Sequence, residues 1–129
     1  MNKILVEVSV GELLDKISIL EIKKEKITNT ESLGFIEKEY LILKDQLDKN
    51  IKSEEKLNQL FKSLKEINSK LWIFEDEKRL YEKNSDFSEK FIKVSREIHF
   101  LNDDRSKVKL EINKHTGSLI REIKQYTSY

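Results

Sequence analysis

Arg105 stands in the middle of an apolar stripe. Turned at 100° per residue, the chain around it places Phe87, Phe91, Val94, Ile98, Leu101, Arg105, Val108 and Ile112 on one helical face. An arginine inside such a face needs an anionic partner, because an unpaired buried charge is strongly destabilising. Two chemistries fit. The first is an ion pair that sets the register between two helices. The second is a guanidinium that holds an anion in a polar pocket, with Asn102 and Lys109 flanking it on the same face. The contrast between lysine and arginine sharpens the point. Of 25 basic residues only four are arginines, Arg79, Arg96, Arg105 and Arg121, so lysine is the ordinary surface charge of this chain.

Carboxylates occur in suitable places. The first helical segment carries Asp15, Lys16, Glu21 and Lys23 among apolar residues, and either Asp15 or Glu21 is a candidate partner for Arg105. Further along, Trp72 precedes Glu75-Asp76-Glu77 and Arg79. Three consecutive acids on a helix point in different directions and are ordinarily solvated. Glu75 borders the apolar seam and stands four residues before Arg79, a spacing that allows a weak surface pair. A sharper arrangement would bring Glu75, Glu21 and Asp103 together inside a bundle, since carboxylates from facing helices are how bundles hold metal ions. Nothing in the sequence indicates a metal, although these acids leave a divalent ion open. The histidine spacings His99–Asp103 and Glu111–His115 are both i,i+4, but they lie off the seam, and no Glu-x-x-His is present. The ligand-binding candidates are therefore Asp15, Lys16, Glu21, Glu75, Arg79, Asn102, Asp103, Arg105 and Lys109, with no catalytic residue assigned and the question of catalysis open.

Several chemistries are missing. The chain has no cysteine, so disulfides and thiolate chemistry are excluded. There is no glycine-rich phosphate loop and no nucleophile elbow. The paired Glu-x-x-Glu and Glu-x-x-Asp of all-helical nucleotide pyrophosphatases is absent, with Glu12–Asp15 the only Glu-x-x-Asp. A small helical chorismate mutase needs several inward basic residues, and only Arg105 meets that requirement.

The elements that must position these residues are helices. The chain is 129 residues long, with no proline and three glycines, room for one helical domain over residues 1–129 and few places to break it. Residues 3–8, Lys-Ile-Leu-Val-Glu-Val, read as a short extended strand that must pair with the tail, with a second copy or lie on the helices. Ser9 and Glu12 form a capping box that opens a helix over about 10–28. Its stripe is Leu13, Ile17, Leu20 and Ile27, with Leu14 at its edge and Ile19 and Ile22 on the far side, so more than one neighbour is expected. A second helix spans about 32–51, and a third, capped by Ser53, about 54–83. A fourth spans about 86–115 and is closed by Thr116-Gly117-Ser118. The seams of helices two to four step by three and four in a coiled-coil-like manner. Short connections predict an all-α antiparallel bundle of about four helices.

The stretch from Val8 to Lys23, Leu71-Trp72 with Glu75-Asp76 and Arg79, Asn102-Asp103 with Arg105, and Gly117-Ser118 before a Lys…Ser-Tyr ending together resemble one family. It is an uncharacterised family of short helical proteins of bacteria and their phages, with an opening VSVGELLDKI-type motif. The resemblance covers almost the whole chain and implies no activity. One departure is the tail, Arg121-Glu122-Ile123-Lys124, where the family is more acidic.

Net charge is +1, from 25 basic and 24 acidic residues, a balance that disfavours nucleic acid as a partner. No apolar run is long enough for a membrane span and no signal-peptide pattern opens the chain, so a cytoplasmic protein is expected. The first functional expectation is a non-catalytic domain that forms a homo-oligomer, a dimer being favoured, or binds a protein partner through its seams and N-terminal strand. The alternative is a small helical enzyme or binding protein for an anionic or phosphorylated molecule, built on the inward arginine and its carboxylates.

Overall fold

Helical periodicity carries through to the fold. A computed structural model describes residues 2–129, and the described residues form four helices: α1, Val10–Lys26; α2, Thr30–Asn50; α3, Glu55–Lys83; α4, Glu89–Thr116. They pack as a helical bundle in which α1 touches all three others, α3 pairs with α4, and α2 packs on α1 alone. The wide apolar belt of α1 explains this arrangement: Leu14, Ile17, Leu20 and Ile22 are all buried although they point in several directions.

The helix ends follow local rules, with two corrections. The Ser9 hydroxyl accepts from the Glu12 amide at 3.0 Å, as a cap should. The Glu12 carboxylate does not turn back to complete the box; it takes Lys109 of α4 at 2.7 Å. The first-turn amides of Val10 and Gly11 are bound by Ser118 Oγ and Asn113 Oδ1, at 3.3 and 2.7 Å. These two donors of the helix end are thus taken by side chains from α4 and the tail. Ser53 does not cap α3, whose cap position is Glu54 with no side-chain bond. Asn29 caps α2. Gly117 ends α4 at φ 67°, a left-handed conformation that glycine adopts without strain.

The predicted N-terminal strand is not formed within a single copy of the chain. No strand is present among the described residues, and Ile4, Leu5 and Val6 are 86%, 83% and 75% exposed. A strand needs a partner for its backbone, and none is supplied among the described residues.

Two apolar clusters sit along α3 and α4 with a polar layer between them. Leu14, Leu57, Leu60, Leu64 and Ile112 form one. Leu71, Val94 and Ile98 form the other, from α3 and α4 only. The seam of α3 puts Asn68 between Leu64 and Leu71, and the seam of α4 puts Arg105 between Leu101 and Val108. These polar residues meet Asp15 and Ser18 of α1. No helix among the described residues is long and apolar enough to cross a membrane.

Candidate functional site

Asp15 is the centre of the polar layer. It is 1% exposed, and both of its oxygens are used. Arg105 Nε donates to Oδ1 at 2.9 Å, and Nη2 donates to Oδ2 in a second, short contact, so the guanidinium grips the carboxylate at two points. Asn68 Nδ2 donates to the same Oδ1 at 2.9 Å and to Ser18 Oγ at 2.8 Å. Lys109 Nζ stands 4.0 Å from Oδ2. Burial by itself would push the Asp15 carboxyl up, but the Arg105 and Asn68 hydrogen bonds and the nearby cations outweigh it and hold the group below the usual aspartate value. The same contact with Asp15 raises Arg105 above its already high value.

Lys109 belongs to a neighbouring arm of the network. Burial would lower it, yet Glu12 at 2.7 Å and Glu122 at 3.2 Å hold its ammonium protonated and raise it. In return, the Lys109 hydrogen bond draws Glu122 down. The role expected for Lys109, an anion contact beside Arg105, is thus already taken by two carboxylates.

Arg105 is not sealed in. Its side chain is 30% exposed, and it lines a cleft of about 360 Å³ between α1, α3 and α4. Ile19, Ile22, Leu71 and Trp72 give that cleft its apolar wall; Asn68, Glu75, Asp76, Arg79, Asn102 and Arg105 give it polar groups of both signs. A second cleft, about 460 Å³, opens between the N-terminal segment and the tail and is also lined by Arg105, together with Lys109 and Glu122.

Of the residues expected from the sequence, Glu75, Arg79, Asn102 and Arg105 share the first cleft, and Asp15 stands behind Arg105. Glu21 does not join them. It faces α2 and α3, where it meets Lys65 at 3.1 Å and accepts from the Tyr40 hydroxyl at 3.4 Å. Asp103 bonds the Tyr129 hydroxyl of the tail, and Lys16 is exposed on α1. Glu75, Glu21 and Asp103 therefore do not converge, and no group of acids and histidines placed to hold a metal occurs among the described residues. His99 packs its ring on Tyr129, and His115 pairs with Glu54. Sequence reasoning missed Asn68, although its position one turn after Leu64 and one turn before Leu71 marks it as inward. It also missed Asn113 and Ser118, which no periodicity marks, because their role depends on α1 arriving beside them.

A model of a family of unknown function (DUF6165) matches residues 4–129. The chain belongs to that family. No curated protein and no solved structure matches it. The family resemblance read from the sequence gains a physical content here. Its opening stretch is the contact surface of α1 on α4, through Gly11, Glu12 and Asp15. Its α3 and α4 residues Leu71, Trp72, Glu75, Asp76, Arg79, Asn102 and Arg105 line one cleft.

Proposed function

We propose that the protein binds a small anionic molecule in the cleft between α1, α3 and α4, with Arg105 and Arg79 as its cationic contacts. The observation that carries this reading is the position of Arg105, gripped by a buried carboxylate from behind and open to a cleft in front. An ion pair that only sets register needs no cavity beside it. Asp15 occupies Nε and Nη2, so Nη1 is left for an incoming phosphate or carboxylate oxygen. Fixing the guanidinium before the ligand arrives reduces the ordering cost of binding. Trp72 with Ile19, Ile22 and Leu71 supplies the apolar wall common to small-molecule sites. Glu75 and Asp76 favour a ligand that also carries hydroxyl or ammonium groups. The site assigns no reaction.

A thermal-shift screen against nucleotides, sugar nucleotides, phosphorylated metabolites and divalent metals tests it. An anionic compound present at a hundred times its dissociation constant adds about 2.7 kcal/mol of stability. Arg79 is exposed, so Arg79→Gln is expected to keep the fold while losing most of that shift. A flat screen, or a shift unchanged in Arg79→Gln and Asn102→Ala, overturns the reading.

A second reading, self-association, is favoured by a separate observation. Phe35, Leu41 and Ile42 of α2, and Ile73, Leu80, Phe87 and Ile92 around the far end of α3 and α4, are each more than half exposed. The pairs Gly11–Asn113, Glu12–Lys109 and Asp15–Arg105 support antiparallel packing of α1 on α4, and the outer faces are left available to a second copy. Large bare apolar surface of this kind marks interaction sites. Sedimentation velocity across a wide concentration range reads it: a mass of two or more chains supports self-association, and the mass of one chain throughout overturns it.

A further inference from the structure

The segment before α1 is the strongest β-forming run in the chain, Ile4-Leu5-Val6-Glu7-Val8 after Lys3. It pairs with nothing among the described residues, and three of its apolar side chains are almost fully exposed. Unpaired backbone with bare β-prone side chains is a template for another strand. The charge pattern says which strand. Lys3 and Glu7 are placed symmetrically about Leu5, with only apolar residues between them.

We propose that residues 3–7 of two copies of this chain pair as an antiparallel ribbon with its two-fold axis at Leu5. In that register Lys3 faces the partner's Glu7, Glu7 faces the partner's Lys3, Ile4 and Val6 face each other twice, and Leu5 faces itself. Opposite charges directly across an antiparallel pair stabilise it, and like charges oppose it. A slip of one residue in either direction loses both ion pairs and sets Lys3 against Val6 or Val8 of the partner. The contact is self-complementary, as a two-fold interface requires.

Strand alternation gives the ribbon two different faces. Lys3, Leu5 and Glu7 lie on one; Ile4, Val6 and Val8 lie on the other. Two short strands alone are marginal in water, so the apolar face closes on the helical bodies. Val8, at the root of the segment, already lines a cleft with Ile120 of the tail. This inference rests on the self-association reading and is independent of the Arg105 cleft.

The absence of cysteine makes single-cysteine probes clean. Facing α-carbons in an antiparallel pair are about 4.5–5.5 Å apart, inside the range of about 4.4–6.8 Å that a disulfide spans. Under mild oxidation Leu5→Cys should form a disulfide-linked dimer readily. Ile4→Cys alone and Val6→Cys alone should do so far more slowly, because each lies two residues along the ribbon from its own copy. A mixture of the Ile4→Cys and Val6→Cys proteins should cross-link again. In parallel, Lys3→Glu and Glu7→Lys should each weaken the dimer several-fold by sedimentation velocity, and the Lys3→Glu/Glu7→Lys double variant should restore it. A dimer that cross-links equally at positions 4, 5 and 6, or ignores the charge reversals, overturns the ribbon and leaves self-association standing. A protein that stays a single chain at every concentration overturns both.

Discussion

Arg105→Met is expected to destabilise the protein by about 3–5 kcal/mol near neutral pH, the range for removing one member of a buried ion pair. Asp15→Asn is expected to cost less. The asymmetry follows from burial. Asp15 is 1% exposed while the Arg105 side chain is 30% exposed, so the arginine can turn to water when its partner is removed and the aspartate cannot. In Arg105→Met the remaining help for Asp15 is the Asn68 hydrogen bond and Lys109 at 4.0 Å.

The pH dependence separates this effect from lost apolar contact. In the native protein Asp15 titrates below its unfolded value of about 3.9. A depressed carboxyl contributes stability above the unfolded value and loses it as pH falls through the folded value, so the native protein loses this contribution as pH falls from the unfolded value through the lower folded one. In Arg105→Met burial dominates and the same carboxyl is raised. Its destabilisation is then greatest above the raised value and is relieved as pH falls through it. Urea unfolding at neutral pH and near pH 5 should show the gap between the two proteins narrowing in acid. A gap independent of pH would remove Asp15 from the explanation. Arg105→Met combined with Asp15→Leu should recover most of the loss, because apolar replacement of a whole buried pair is often neutral. That double variant is expected to fold and lacks the guanidinium, so it also tests the cleft without confounding binding with stability.

Gly11→Ala and Gly34→Ala should move stability in opposite directions. Both glycines lie inside helices, where alanine ordinarily gains about 0.5–1 kcal/mol. Gly34 has nothing within 4 Å of an added Cβ, so that gain is expected in full. At Gly11 the added Cβ would fall 2.6 Å from the Lys109 carbonyl oxygen and 3.0 Å from Asn113 Oδ1. The first is backbone of α4 and cannot swing aside. Helix α1 must then move away from α4, stretching the Asn113 bond to the Gly11 amide and the Asp15–Arg105 grip one turn further along. Overpacking of this kind costs about 1–3 kcal/mol, which exceeds the helix-propensity gain. Thermal unfolding of the two variants side by side reads the difference. A stabilised Gly11→Ala protein would overturn the close approach of α1 to α4 at this position.

The amino-acid sequence alone determined the helices, their seams and the need for an anion at Arg105. Those features are local. Spacings of three and four residues define a helical face, and Ser9 and Gly117 mark helix ends through contacts within a few positions. The buried Leu57, Leu60, Leu64 and Leu71 of α3 follow directly from that spacing. Tertiary structure decided the rest. Asp15 and Glu21 were equal candidates for Arg105, because both lie among apolar residues on one helix. The rotation of α1 against a residue ninety positions away turned Asp15 to α4 and Glu21 to Lys65. The seam of α2 has the same period as the others, yet none of its residues is buried. Periodicity says that a face is apolar, but only a neighbouring helix can cover it. The segment from Lys3 to Val8 has every local mark of a strand and remains unpaired, since a strand exists only with a second strand to complete its hydrogen bonds. The cleft is of the same kind: Trp72, Arg79, Asn102 and Arg105 were visible one by one, and the approach of α3 and α4 made them a single wall.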